Sequence, residues 1–401
     1  MPTVTLVSFA GRGSAGDDLA LRGTVHALGQ LAPGTEVAAV VSGPDRVREF
    51  LDPSVRLIEG PGRTLAGIEA STPRGLRGMR TARAAGHMLE NTLSGKGSAP
   101  EPVREAVAAV GSSALTVFVV GGYLNDRRPL RLLAAWMLAR AAHRQGVPYA
   151  LFGHSIGPFE HGGALPRARR LLENAEGIAI REPRSAWELA ALLRGHHAEP
   201  MGDPALLLPR PEQQGEPAST VLANFPHVRA LAEYRKAPMD PAFTLADGVY
   251  MSARQLRAEV RFVEAGSPPA ADDRAGNAIV DAGLLANIPR GDPVSYAAGT
   301  LELPPAGVLI STEHDLCAWA LGQGLPAVGV ALTPHARHEL RGLMDLFRRP
   351  DWVWVPEAEF GLHDLSSRAV QAANDPDRSQ LRETADALAA RQRDWLSSLL
   401  R

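Results

Sequence analysis

A chain of 401 residues exceeds the size at which a single hydrophobic core keeps growing, so two domains with separate cores are expected. Its formal net charge is -2, with 42 Lys and Arg against 44 Asp and Glu, and no basic run stands out, which excludes the positive footprint of a nucleic-acid-binding protein. The single cysteine, Cys317, excludes an intrachain disulfide; set in Leu316-Cys-Ala-Trp319 it reads as a buried helix position without a metal partner nearby, and a reducing cytoplasm is the expected compartment.

Through the first half, short β-branched runs at 4–9, 37–41, 55–58, 115–120, 149–152 and 178–180 alternate with amphipathic helical stretches. Such alternation predicts a parallel sheet. Thr116-Val-Phe-Val-Val120 is apolar at nearly every position, as a strand covered by helices on both faces must be, and right-handed crossovers then give a doubly wound layer. The most apolar helix, 130–142, carries Arg131 and Arg140, and the N-terminus lacks a basic segment followed by an apolar core; neither a membrane span nor a signal peptide is expected. Arg210-Pro-Glu-Gln-Gln-Gly-Glu-Pro217 can bury almost nothing and predicts a linker between domains at 1–209 and 219–401. A second α/β series follows, with strands expected at 220–223, 260–264, 308–310 and 327–331, no strand assigned between 271 and 293, and a closing helix over 379–400 marked by Leu381, Leu388, Trp395 and Leu399.

Four stretches place polar groups at strand ends, where open α/β sheets bind ligands. Ser8-Phe-Ala-Gly-Arg-Gly-Ser-Ala-Gly-Asp-Asp-Leu19 is a glycine-rich strand-to-helix turn whose N–H groups can meet an anion, or whose Asp17 or Asp18 simply caps the helix. Val120-Gly-Gly-Tyr-Leu-Asn-Asp126 lets a ligand approach the main chain at Gly121 and Gly122 and offers Asn125; a tight turn is the alternative. In the third, His154 and Ser155 follow one strand while Arg181 and Glu182 follow the next, and Gly202-Asp203-Pro204 turns the chain. Arg181 offers a two-pronged fork for phosphate or carboxylate, or a salt bridge to a neighbouring acid, and Asp203 reads as structural. The fourth, Val308-Leu-Ile-Ser-Thr-Glu-His-Asp-Leu-Cys-Ala-Trp-Ala320, brings His314 to a strand end flanked by Glu313 and Asp315; a helix-capping or packed core histidine is the alternative. Arg74, Arg77, Arg80 and Arg83 drift around a helix by about 60° per step and predict a solvated face.

Together, Tyr149-Ala-Leu-Phe-Gly-His-Ser-Ile-Gly-Pro158, Gly177-Ile-Ala-Ile-Arg181-Glu-Pro-Arg-Ser185 and Met201-Gly-Asp-Pro-Ala205 resemble the polysaccharide pyruvyltransferase family in order and spacing, and Gly16-Asp17-Asp18-Leu19 is similar to its Gly-Asp-Glu segment. The resemblance implies two Rossmann-like domains facing across a cleft, as in GT-B glycosyltransferases. It further implies transfer of an enolpyruvyl or pyruvate ketal group from phosphoenolpyruvate to a carbohydrate-type acceptor, with no metal or other cofactor. His314 would be the catalytic proton donor and Arg181 the phosphate clamp, while Gly16, Asp17, Gly121, Gly122, Asn125, His154, Ser155 and His335 would contact substrate. Thr312 stands where the family has an arginine and His335 where it has a lysine, so a GT-B-type transferase using another anionic donor, such as a nucleotide sugar, is the alternative expectation.

Overall fold

The computed structural model describes residues 3–73, 77–95, 99–159, 163–194, 196, 198–211, 219–226, 241–265, 271–284, 287–297, 299–356 and 364–401. Two compact units emerge: Met1–Arg12, Asp17–Leu208 and Arg391–Arg401 form the first, and Gly13–Gly16 with Pro209–Ala390 form the second.

In chain order the first unit holds β1 (Thr3–Val7), α1 (Ala15–Leu31), β2 (Glu36–Val41), α2 (Pro44–Arg48), β3 (Arg56–Glu59), α3 (Gly62–Ala70), α4 (Arg77–Ser94), α5 (Glu101–Gly111), β4 (Leu115–Leu124), α6 (Pro129–Arg144), β5 (Tyr149–Ile156), α7 (Leu165–Glu173), β6 (Gly177–Ile180) and α8 (Pro183–Leu192). All pairings are parallel, in the order β3-β2-β1-β4-β5-β6. Every residue of β5 is buried, and Phe118 meets Tyr149 edge-on at 5.7 Å, which explains the unbroken apolar runs read from the sequence.

In the second unit, β7 (Thr220–Asn224), α9 (Pro241–Leu256), β8 (Glu259–Glu264), α10 (Ala271–Gly283), β9 (Val294–Ser295), β10 (Val308–Ser311), α11 (His314–Gly322), β11 (Ala327–Val330), α12 (Pro334–Leu346), β12 (Val353–Trp354), α13 (Asp364–Ala373) and α14 (Arg378–Leu399), whose residues from Arg391 on belong to the first unit, follow. The sheet runs β12-β11-β10-β7-β8-β9, again all parallel. Counted from β7, this is the same strand order as in the first unit, so each sheet reverses direction once, between β1 and β4 and between β7 and β10. The two-residue strands β9 and β12 complete it and were not foreseen.

Three expectations need correction. The Gly121-Gly122 pair does not end a strand, because β4 continues to Leu124. Likewise β5 runs on to Ile156, so His154 and Ser155 lie within it; Gly153, at φ 71, and a register shift between Phe152 and His154 carry the strand past its expected end. The closing helix was assigned whole to residues 219–401, yet its last residues pack on the first sheet, with Trp395 stacked on Phe152 at 5.3 Å and 10° and Gln392 Nε2 donating to the Met201 and Asp203 carbonyls. Of the expected linker, 212–218 lies outside the described residues.

Candidate functional site

At the reversal point of the second sheet, the ends of β7 and β10 are tied by the Ser311 hydroxyl, which donates to Asn224 Oδ1 at 3.0 Å and accepts from the Glu313 N–H at 2.9 Å. Helix α11 begins immediately afterwards, with Glu313 at its N-cap making no side-chain cap hydrogen bond, so the first-turn N–H groups receive nothing from that side chain. His314, the first helical residue, is 6% exposed. Its Nδ1 lies 3.1 Å from Asp315 Oδ1, while its Nε2 is buried and has no hydrogen-bond partner among the described residues; the same is true of Thr312 Oγ1. Buried polar atoms are normally paired, so two orphans together at one sheet reversal make this a candidate ligand site.

Gly16 belongs to this second unit, where the Ala15 N–H donates to the Ala265 carbonyl at 3.2 Å. A Cβ on Gly16 would lie 1.8 Å from Asp315 Oδ2 and 2.4 Å from Asp315 Cβ, so the glycine is there for space. His335, on α12, has its Nε2 3.2 Å from Glu339 Oε2 one turn on, and α12 itself is capped by Thr333 Oγ1 accepting from the Ala336 N–H. Cys317 occupies the buried helix position expected, and burial, with the charges of Glu313 and Asp315, raises its thiol pKa.

In the first unit the reversal point lies between β1 and β4. Asp17 pairs with Arg131 Nη1 at 3.0 Å, Arg131 lies 5.1 Å over the Phe9 ring, and Phe9 meets Tyr123 edge-on at 5.0 Å. Asp18 Oδ1 accepts the Gly11 N–H at 2.7 Å and so fastens the glycine-rich turn. Arg12 feels this place too: its guanidinium pKa is lowered, first by partial burial and then by the charges of Arg131 and Arg63. Neither Arg12 nor Arg63 stood out in the sequence, since they reach the same region from a loop and from the start of α3, 51 residues apart.

Arg181 sits two strands away, at the end of β6. It is 3% exposed, and its Nε donates to Ser155 Oγ at 2.9 Å while its Nη1 faces Asp203 Oδ2 at 3.3 Å. Glu182 Oε2 lies 3.5 Å from Arg181 Nε and accepts from Ser155, and its Oε1 accepts from Ser185, whose hydroxyl receives the Ile156 N–H. The fork expected to hold a donor thus lies between two carboxylates. Asp203 also caps the turn over Pro204–Leu207 through Ala205 N–H, the structural role read for it.

His154 belongs to the same interior. Its Nε2 lies 2.7 Å from the Tyr123 hydroxyl, and burial, then the Arg181 charge, drive its pKa down to about 3. It is a neutral packed histidine at physiological pH. Asn125 is fully buried and locally satisfied, donating to the Gly122 carbonyl and accepting from the Arg127 N–H at 2.8 Å each. Gly121 owes its identity to the Tyr123 ring, which a Cβ would meet at 2.0 Å. In the basic ladder, Arg80 and Arg83 are exposed, as expected of a solvated face, and Arg74 lies outside the described residues.

The sequence profile described as Polysaccharide pyruvyl transferase matches residues 15–263. No curated protein matches the chain. Among solved structures, Phytolacca americana UGT2 complexed with UDP-2fluoro-glucose and pterostilbene is similar at a TM-score of 0.57 and 12% identity, covering 99% of each chain. A ugt transferase from Siraitia grosvenorii in complex with UDP gives 0.54 at 12% identity over 100% of each chain. A putative UDP-N-acetylglucosamine 2-epimerase from Listeria monocytogenes gives 0.52 at 13% identity, over 96% of this chain and 91% of its own. The likeness is one of fold: two Rossmann-like domains of GT-B type.

Proposed function

The chain belongs to the polysaccharide pyruvyl transferase family and is a transferase acting in polysaccharide modification, and from that premise we propose that it moves the pyruvyl group of phosphoenolpyruvate onto two hydroxyls of a carbohydrate acceptor. In this reaction a proton adds to the methylene carbon of the enol while one acceptor hydroxyl attacks the carbon bearing the phosphate. Phosphate then leaves and the second hydroxyl closes the pyruvate ketal, so one phosphate is released for each ketal formed.

The observation that carries this reading is His314, whose Nδ1 is held by Asp315 while its buried Nε2 is open at the sheet reversal. An imidazole so placed can deliver the proton to the enol carbon and take one from the attacking hydroxyl. The Thr312 hydroxyl and the N-terminal N–H groups of α11 are the local groups suited to an anionic oxygen. Arg181, engaged with Asp203 and Glu182, serves in this account as the organiser of the β5–β6 rim rather than as the donor's clamp.

Transfer from a nucleotide sugar is the second reading. Thr312 favours it, because a neutral hydroxyl replaces a guanidinium where phosphoenolpyruvate would bring close to three negative charges. Phosphorus NMR of the full chain with phosphoenolpyruvate and a panel of glycosides bearing free diols separates the two. Pyruvyl transfer predicts acceptor-dependent phosphate release that falls by about 10²- to 10⁴-fold in His314→Gln. Intact phosphoenolpyruvate alongside consumption of a nucleotide sugar would reject it.

A further inference from the structure

Asp315 is not among the residues that the resemblance brings to the site, yet its contacts single it out. We infer that Asp315 is the positioning residue of the site, fixing which nitrogen of His314 handles the proton, and that Gly16 is a glycine so that Asp315 can stand there. The inference rests on the reading of His314 as the acid and base of the reaction.

The geometry leaves Asp315 one role toward the ring. Its Oδ1 is 3.1 Å from His314 Nδ1, and an ionised carboxylate only accepts, so Nδ1 must carry a hydrogen to make this bond. In the neutral ring that leaves Nε2 as the lone-pair nitrogen, and Nε2 is the buried atom without a partner. When the ring is doubly protonated, Nε2–H is the proton available for transfer, while Nδ1–H stays hydrogen-bonded to the carboxylate. The same atom therefore gives and receives the proton in both directions of the cycle. A histidine whose second nitrogen is held by a carboxylate is a recurrent arrangement for this purpose.

Gly16 closes the argument from the other side. An added Cβ there meets not only the mobile Oδ2, at 1.8 Å, but also Cγ at 2.3 Å and Cβ at 2.4 Å, so no rotation of the carboxylate relieves the contact and Asp315 as a whole must shift. Gly16→Ala is thus a way of moving the carboxylate from the imidazole without changing its chemistry.

The test is long-range proton–nitrogen NMR of the full chain labelled at histidine, with His314 identified among the 12 histidines by its loss in His314→Gln, recorded where the ring is neutral. Wild type should show the Nδ1–H tautomer. Asp315→Ala should convert it to mainly Nε2–H, and Gly16→Ala should do so independently if Asp315→Ala does not fold. Phosphate release should fall about tenfold to hundredfold in kcat in either variant, the loss typical when such a supporting group is removed. An unchanged tautomer in both variants overturns the inference and leaves the role of His314 to the His314→Gln measurement. A converted tautomer with undiminished kcat would overturn the catalytic reading of His314 itself.

Discussion

Replacing Arg181 with methionine tests the buried cluster at the β5–β6 rim. The side chains of Arg181, Glu182 and Asp203 are 3%, 0% and 1% exposed, so removing the cation strands two carboxylates away from water. Breaking a buried pair by removing one partner costs about 3–5 kcal/mol, far more than the ~0–1 kcal/mol of a surface pair, because the remaining charge cannot be rehydrated. The first unit comprises roughly 200 residues, for which each kcal/mol lowers Tm by about 2–4 °C. Arg181→Met should therefore lower the transition of that unit by about 6–20 °C in a calorimetric scan of the full chain. Arg181→Lys, which keeps the charge but loses the fork, should fall in between, and Arg80→Met on the exposed face of α4 should leave the transition in place. A shift under about 1 °C for Arg181→Met would show that the guanidinium is open to solvent, and would return it to the role of a donor clamp.

Because His154 has a folded pKa of about 3 against an ordinary 6.5, the unfolded chain binds the extra proton first; its stabilising contribution is complete above about pH 6.5 and is lost as pH falls toward 3. His154→Gln should flatten the stability-against-pH curve in that window by up to about 1.4 kcal/mol per pH unit, and superimposable curves would refute the neutral buried ring. Gly121→Ala should cost about 1–3 kcal/mol in denaturant unfolding by driving a methyl into the Tyr123 ring, whereas a neutral result would reopen the view that this glycine serves a ligand. Cys317 should resist alkylation at pH 8 in the native chain and react at once in denaturant; rapid native labelling would contradict its burial.

Local patterns carried most of the fold. The β-branched runs located β1 to β6, and the histidine after Val308-Leu-Ile-Ser311 fell where the second sheet reverses. What escaped was set by long-range contacts. Val294–Ser295 and Val353–Trp354 are too short to show a period, and become strands only because Val263 and Gly329 offer parallel partners. Gly121 and Gly153 looked like strand ends because glycine directly after an apolar run signals a break; neighbouring strands instead hold both within the sheet. Arg181 and its partners Ser155 and Asp203, 26 and 22 residues away, were legible as one cluster of strand ends, but which of them the guanidinium engages is set by long-range packing. Asp315 stood in the sequence only as a neighbour flanking His314, since only coordinates reveal that its carboxylate faces the ring of the adjacent residue.

The claim on which the functional account depends is that this chain takes phosphoenolpyruvate as its donor although Thr312 stands where the resemblance implies an arginine. Calorimetric titration of the full chain with phosphoenolpyruvate and with UDP-glucose, each repeated on Thr312→Val, addresses it most directly. The account predicts saturable binding of phosphoenolpyruvate that weakens when the Thr312 hydroxyl is removed, undisturbed by UDP-glucose. Binding of UDP-glucose with no heat from phosphoenolpyruvate would contradict it.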